Sequence, residues 1–138
     1  MIDINLWAVL LATISSMVVG TIWYAPSVFG NRWQKLVKLN TKTMGQGAAK
    51  AIIVTFIVSF ITAYVLAHVS TLAHAYFQNS FLQDCLTTAF WLWLGLTAAR
   101  FITHDAFERR PVTLTLLNIA HEFVTIEIMA LIIGLLPK

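Results

Sequence analysis

Four apolar runs separated by polar breaks set the pattern of this chain, at about residues 4–25, 49–69, 81–103 and 113–136. A helix rises ~1.5 Å per residue, so ~20 apolar residues cover a ~30 Å hydrocarbon core. Each run predicts a membrane-spanning helix. Together they predict an all-α polytopic membrane protein, an antiparallel bundle of four transmembrane helices in one domain, 1–138. The fourth run, TLTLLNIAHEFVTIEIMALIIGLL, is the least uniform, because it carries Asn118, His121, Glu122 and Glu127. At ~100° per residue, Thr115, Asn118, His121, Glu122 and Thr125 share an arc of roughly 120°. Glu127 points the other way, with Phe123, Ala130 and Gly134. Ionisable groups are costly in lipid, so this helix is expected to turn them toward protein or water.

The other runs carry finer patterns. Ala8, Ala12, Ser16 and Gly20 recur every fourth residue in the first, and Ala51, Thr55, Ser59, Ala63 and Ala67 in the second. Small residues at that spacing let membrane helices approach closely, so the two stripes are expected to face each other. Trp7 at one end of the first run and Trp23–Tyr24 at the other read as interfacial aromatic belts. Pro26 ends that helix, since it disfavours helical backbone at Ala25 and donates no N–H. Phe29, Trp33, Leu36 and Val37 then share one face, with Arg32, Gln34, Lys35 and Lys38 mostly elsewhere. Residues 27–39 thus predict a short amphipathic helix lying on the membrane, its cations among anionic headgroups. TKTMGQGAAK predicts a turn.

In the third run, Asp84 and Arg100 sit near the two ends, where Arg100 can snorkel to the headgroups. Trp91 and Trp93 fall near mid-membrane. A buried indole N–H wants an acceptor, and Glu127 lies at similar depth, so Trp91, Trp93 and Glu127 form a candidate second polar site. His68 reads as interfacial. His104, Asp105 and Glu108 match no metal spacing and read as loop residues.

Composition supports the membrane reading. Of 138 residues, 59% are hydrophobic and 11% charged, less than half the charged share of a soluble domain. The net charge of +3 comes mostly from two loops, so it points to topology and not to nucleic acid. Arg32, Lys35, Lys38, Lys42 and Lys50 fall in the first loop or its flanks, and Arg100, Arg109 and Arg110 at the third. Only Lys138 lies on the other side. The positive-inside rule makes the basic side cytoplasmic and both termini periplasmic, in a bacterial inner membrane. Asp3, with no Lys or Arg before the first run, argues against a cleavable signal. The single cysteine, Cys85, excludes an intrachain disulfide and a cysteine-based metal cluster.

Two stretches, NLWAVLLATISSMVVGTIWYAPSVFGNRW and FERRPVTLTLLNIAHE with the later ALIIG, resemble the small membrane family known as domain of unknown function 1761. The resemblance rests on Gly20, Trp23, Tyr24, Pro26, Phe29, Gly30 and Trp33 in the first block. In the second it rests on Phe107, Glu108, Arg110, Pro111, Asn118 and His121. It implies a four-span bacterial membrane protein and no activity.

Three functions are compatible with these residues. In the first, a small transport or permeation protein acts as an oligomer, with a dimer favoured because four spans make a thin transporter. Arg100, Asn118, His121 and Glu122 would form one polar cluster open to cytoplasmic water, where a proton or cation pauses. The same groups could instead form a closed hydrogen-bond network that only fixes helix rotation. In the second, a non-catalytic accessory or scaffold protein binds lipids or other membrane proteins. In the third, a helical bundle holds haem, but His121 and His68 sit at different depths, and no catalytic, phosphate-loop or zinc motif is present. Neither a cofactor nor a metal is therefore expected, and the sequence names no substrate.

Overall fold

The computed structural model describes residues 3–38 and 47–137, and every regular element among them is helical. The long helices are α1 (Leu6–Trp23), α3 (Ala48–Phe77), α4 (Phe81–Phe107) and α5 (Val112–Leu135), all long and apolar enough to cross a membrane. Between α1 and α3 lies the short α2 (Asn31–Val37). The expected spans at 4–25, 81–103 and 113–136 agree with these helices within a few residues. The second differs: α3 continues eight residues past Val69, through STLAHAYF. That linker has no glycine or proline, so nothing in it stops a helix before Gln78, whose φ of 57° ends α3 in the left-handed conformation. Residues 39–46, which contain Lys42 and most of the expected turn, lie outside the described residues.

The helix ends follow local chemistry. Asn5 Oδ1 caps α1 by accepting from the backbone N–H groups of Trp7 and Ala8. Its Nδ2 donates to the carbonyl of Leu136 at 3.1 Å, tying the start of α1 to the end of α5. Ser80 caps α4. Ala25 is extended before Pro26, and Pro26–Gly30 form a π-helical turn that leads into α2. Gly30 is required there for space: an added Cβ would lie 2.9 Å from the Ala25 carbonyl carbon and still closer to the Tyr24 oxygen.

The α3–α4 and α4–α5 turns are each held by a buried aspartate. Asp84 accepts from Asn79 Nδ2 at 2.9 Å and pairs with His74 Nδ1 at 2.8 Å, closing the α3–α4 turn. Asp105 accepts from Thr115 Oγ1 at 2.7 Å and supports Arg110 across the α4–α5 turn.

The core lies toward the end away from α2. Val9, Ala12, Ala63, Leu66, Ala67, Cys85, Ala89, Ile126, Met129, Ala130 and Ile133 form one buried cluster. Small side chains dominate it and let four backbones converge. Gly134 shows how closely: a Cβ there would be 2.8 Å from Leu82 Cα. The hydroxyls of Thr13 and Ser16 are satisfied inside α1, by the carbonyls of Val9 and Thr13.

The small stripes meet over only half their length. Ala8, Ala12, Ala63 and Ala67 are buried, as mutual contact requires. Toward α2 the two helices diverge. Residues 48–58 of α3 are all exposed, Thr55 and Ser59 line a cavity, and Gly20 looks toward His121 instead of α3. A one-dimensional stripe assumes straight helices in constant contact, whereas these open into a wedge.

Candidate functional site

The wedge forms a cavity of about 590 Å³ between α1, α3 and α5, in the half nearer α2. Most of its wall is apolar, including Met17, Ile52, Val54, Val58, Ile126 and Met129. The polar exceptions converge from four helices. Ser16 and Thr21 come from α1, Thr55, Ser59 and Thr62 from α3, Thr97 from α4, and His121, Glu122 and Thr125 from α5. Glu122 presents its carboxylate with the side chain 41% exposed, while His121 is 14% exposed.

Each part of this corner has a local cause. His121 Nδ1 lies 3.3 Å from Glu122 Oε1, and Nε2 lies 3.5 Å from Thr125 Oγ1. The Thr125 contact is the i,i+4 neighbour relation of an α-helix. On α1, Gly20 faces the imidazole, and a Cβ there would lie in ordinary van der Waals contact with Nε2, at 3.7 Å. Trp23 at the end of α1 and Tyr24 just after it bring aromatic rings to the histidine, and the break at Pro26 turns Phe29 and Trp33 back onto them. Trp23 meets it edge-on at 5.9 Å between centroids, and Tyr24 at 5.0 Å. Phe29 packs on Trp23 at 4.6 Å, and Trp33 of α2 on Tyr24 at 5.3 Å. Trp23, Tyr24 and Trp33, expected as interfacial residues, thus build a stack around His121. Lys35 and Lys38 are exposed on the outer side of α2. Periodicity gave no sign of this stack, because it depends on how the Pro26 turn folds α2 back; a signal was nonetheless present in the closeness of four aromatic residues to one helix break.

The expected single cluster of Arg100, Asn118, His121 and Glu122 is divided. Arg100 and Asn118 line a separate recess between α4 and α5, and only Thr97 borders both. Asn118 lies one turn nearer the α4–α5 turn than Glu122, on the side that α4 covers, and Arg100 shares its face of α4 with Phe101 and His104, which line the same recess. α4 is π-helical over Trp93–Ala98, just before Arg100. The expected pairing of Trp91 and Trp93 with Glu127 also gives way. Trp93 Nε1 donates to the backbone carbonyl of Ile119 at 2.8 Å, Trp91 is 63% exposed, and Glu127 makes no contact with either indole N–H. Phe123 packs on Trp93 at 4.8 Å.

Asp105 was hidden from sequence reasoning because HDAFERRPV looks like an ordinary polar loop. Its side chain is buried, with Thr115 on one oxygen and Arg110 beside the other. The neighbouring Glu108 carboxylate accepts from Arg110 Nε and raises the pKa of that guanidinium, with a smaller contribution from Asp105. No group of three or more His, Cys, Asp or Glu side chains suited to a metal ion occurs among the described residues.

No curated protein and no solved structure matches the chain. A family profile does match, over residues 7–134, and its span includes the cavity, the aromatic stack and the α4–α5 turn. The chain therefore belongs to the family described as "Protein of unknown function (DUF1761)".

Proposed function

We propose that this protein is a multi-pass membrane protein that binds and moves a small amphipathic cation, or exchanges it for protons, through the cavity between α1, α3 and α5. The observation that carries the reading is Glu122, an acceptor carboxylate set in a largely apolar cavity of about 590 Å³. An apolar wall with a few convergent polar groups is the usual form of a small-molecule site. A carboxylate at membrane depth needs a counter-charge, a proton or water, so the complementary ligand is a cation with an apolar body. His121, beside Glu122 and enclosed by Trp23 and Tyr24, is placed to pass a proton to or from it. The hydroxyls of Ser16, Ser59 and Thr62 supply weaker polar contacts along the path.

Membrane insertion is supported by four helices of sufficient length and hydropathy. The side is supported by charge: in a four-span order, eight of nine Lys and Arg residues fall in the sequence on the side of the first and third loops, which favours a cytoplasmic position for that side and periplasmic termini in a bacterial inner membrane. The fully exposed stretch 48–58 of α3 favours a homodimer, since a second copy there would enclose the open side of the cavity. The same exposed face supports a second reading, an accessory protein that binds lipids or another membrane protein along α3.

Glu122→Gln separates the two readings, because it keeps the shape and removes the charge. In proteoliposomes, ethidium uptake above that of protein-free vesicles is expected for the native protein. The variant should lose about ten-fold or more of it, with an unchanged melting temperature. Equal uptake by both proteins, or none by either, overturns the transport reading and leaves the accessory one.

A further inference from the structure

The recess that holds Arg100 has a volume of about 440 Å³ and lies between the last turns of α4 and the first turns of α5. Six polar residues line it besides Thr97: Arg100, His104, Asp105, Glu108, Arg110 and Asn118. Their formal charges cancel when His104 is neutral, so what matters is which of them already have partners. Asp105 Oδ2 accepts from Thr115 Oγ1 at 2.7 Å, and Oδ1 lies 3.7 Å from Arg110 Nε. Glu108 also binds that Nε. Both carboxylates are thus engaged by the turn itself. The side chains of Arg100, His104 and Asn118 have no hydrogen bond or ion pair among the described residues.

The three unpaired groups share one chemistry. A guanidinium offers five N–H donors and no acceptor, a neutral imidazole one N–H, and a carboxamide two. Arg100 and His104 are i,i+4 neighbours on one face of α4, and Asn118 borders the same recess from α5. A converging donor set with one permanent, forked positive charge suits an oxyanion with several acceptor oxygens. Leu96 and Phe101 add an apolar margin beside it.

We infer that this recess binds a phosphate-bearing anion, with Arg100 as its charged donor and His104 and Asn118 completing the contacts. The phosphate is either that of an anionic lipid headgroup or a soluble one. The lipid case rests on the membrane orientation proposed above, which places the end of α4 at the cytoplasmic headgroups. The inference does not depend on transport through the Glu122 cavity.

The test uses the full chain purified in dodecyl maltoside. Native mass spectrometry with equal amounts of dioleoyl-phosphatidylglycerol and dioleoyl-phosphatidylcholine reads lipid retention. Thermal unfolding in inorganic phosphate against chloride, at matched ionic strength, reads a soluble anion, since a ligand of the folded state raises Tm. Retention of phosphatidylglycerol over phosphatidylcholine without a phosphate-dependent Tm identifies the headgroup, and a phosphate-dependent Tm identifies the soluble anion. In either case Arg100→Gln should weaken binding by about ten-fold or more, the loss of a charge-assisted contact. Arg100→Lys should restore part of it, and Glu122→Gln should leave it unchanged. Both Arg100 and His104 are exposed, so Arg100→Gln and His104→Gln should keep the native melting temperature. Absence of both lipid selectivity and a phosphate effect overturns the inference, as does native binding by folded Arg100→Gln.

Discussion

Individual polar residues decide more of this molecule than their number suggests. In a chain with 11% charged residues, Asp105 is buried, and it is affordable only because Thr115 and Arg110 are beside it. Thr115→Val keeps the volume and removes the hydroxyl that donates to this carboxylate. A hydrogen bond to a charged group contributes about 1.5–3 kcal/mol. We expect Thr115→Val to lose stability on that scale, read as a lower denaturation midpoint, while Thr115→Ser retains most of it. Equal midpoints for Thr115→Val and the native chain would show that the Asp105 contact contributes nothing. The sequence placed Thr115 on the polar arc but did not reveal its partner. Asp105 and Thr115 are ten residues apart across a turn, and no helical period connects residues across a turn.

Among the elements, the segment from Pro26 through α2 backs the aromatic side of the cavity. The π-helical turn brings Phe29 and Trp33 onto Trp23 and Tyr24, the two rings that meet His121. Gly30 is the narrowest point of that turn. Its φ of −57° is ordinary, so the requirement is steric rather than conformational. Gly30→Ala should cost about 1–3 kcal/mol, the usual range for overpacking, despite alanine's better helix propensity. Thermal unfolding measures the loss, and near-ultraviolet circular dichroism of the Trp23–Tyr24–Trp33 stack should weaken with it. An unchanged spectrum and midpoint would mean that the turn relaxes freely.

For the whole molecule, the consequential feature is asymmetry between its two ends. The helices converge on small side chains at one end and separate at the other, where α3 leaves the bundle. Among the described residues, Arg32, Lys35, Lys38, Lys50, Arg100, Arg109 and Arg110 lie at the open end. If that end is cytoplasmic, reporter fusions at Gly45 and Lys138 should give opposite signals, with the Gly45 fusion on the cytoplasmic side. Equal signals would contradict either the four-span count or its orientation. The open end is also where the two separate polar recesses lie. This separation makes their assays independent: Glu122→Gln should affect only one, and Arg100→Gln only the other.

The all-α class, the four long helices and most of their ends were legible from the chain alone. Hydropathy summed over ~20 residues and the break at Pro26 are local quantities, readable without knowing what packs against what. So was the shared neighbourhood of His121 and Glu122, since adjacent residues cannot be far apart. Which groups from different helices meet came from packing. His121 met Trp23 and Tyr24 because α1 packs against α5. Trp93 met the Ile119 carbonyl instead of Glu127, and Arg100 borders a different recess from Glu122. Helix rotation and splay arise from contacts between segments distant in sequence, and a helical wheel drawn for one helix contains none of them.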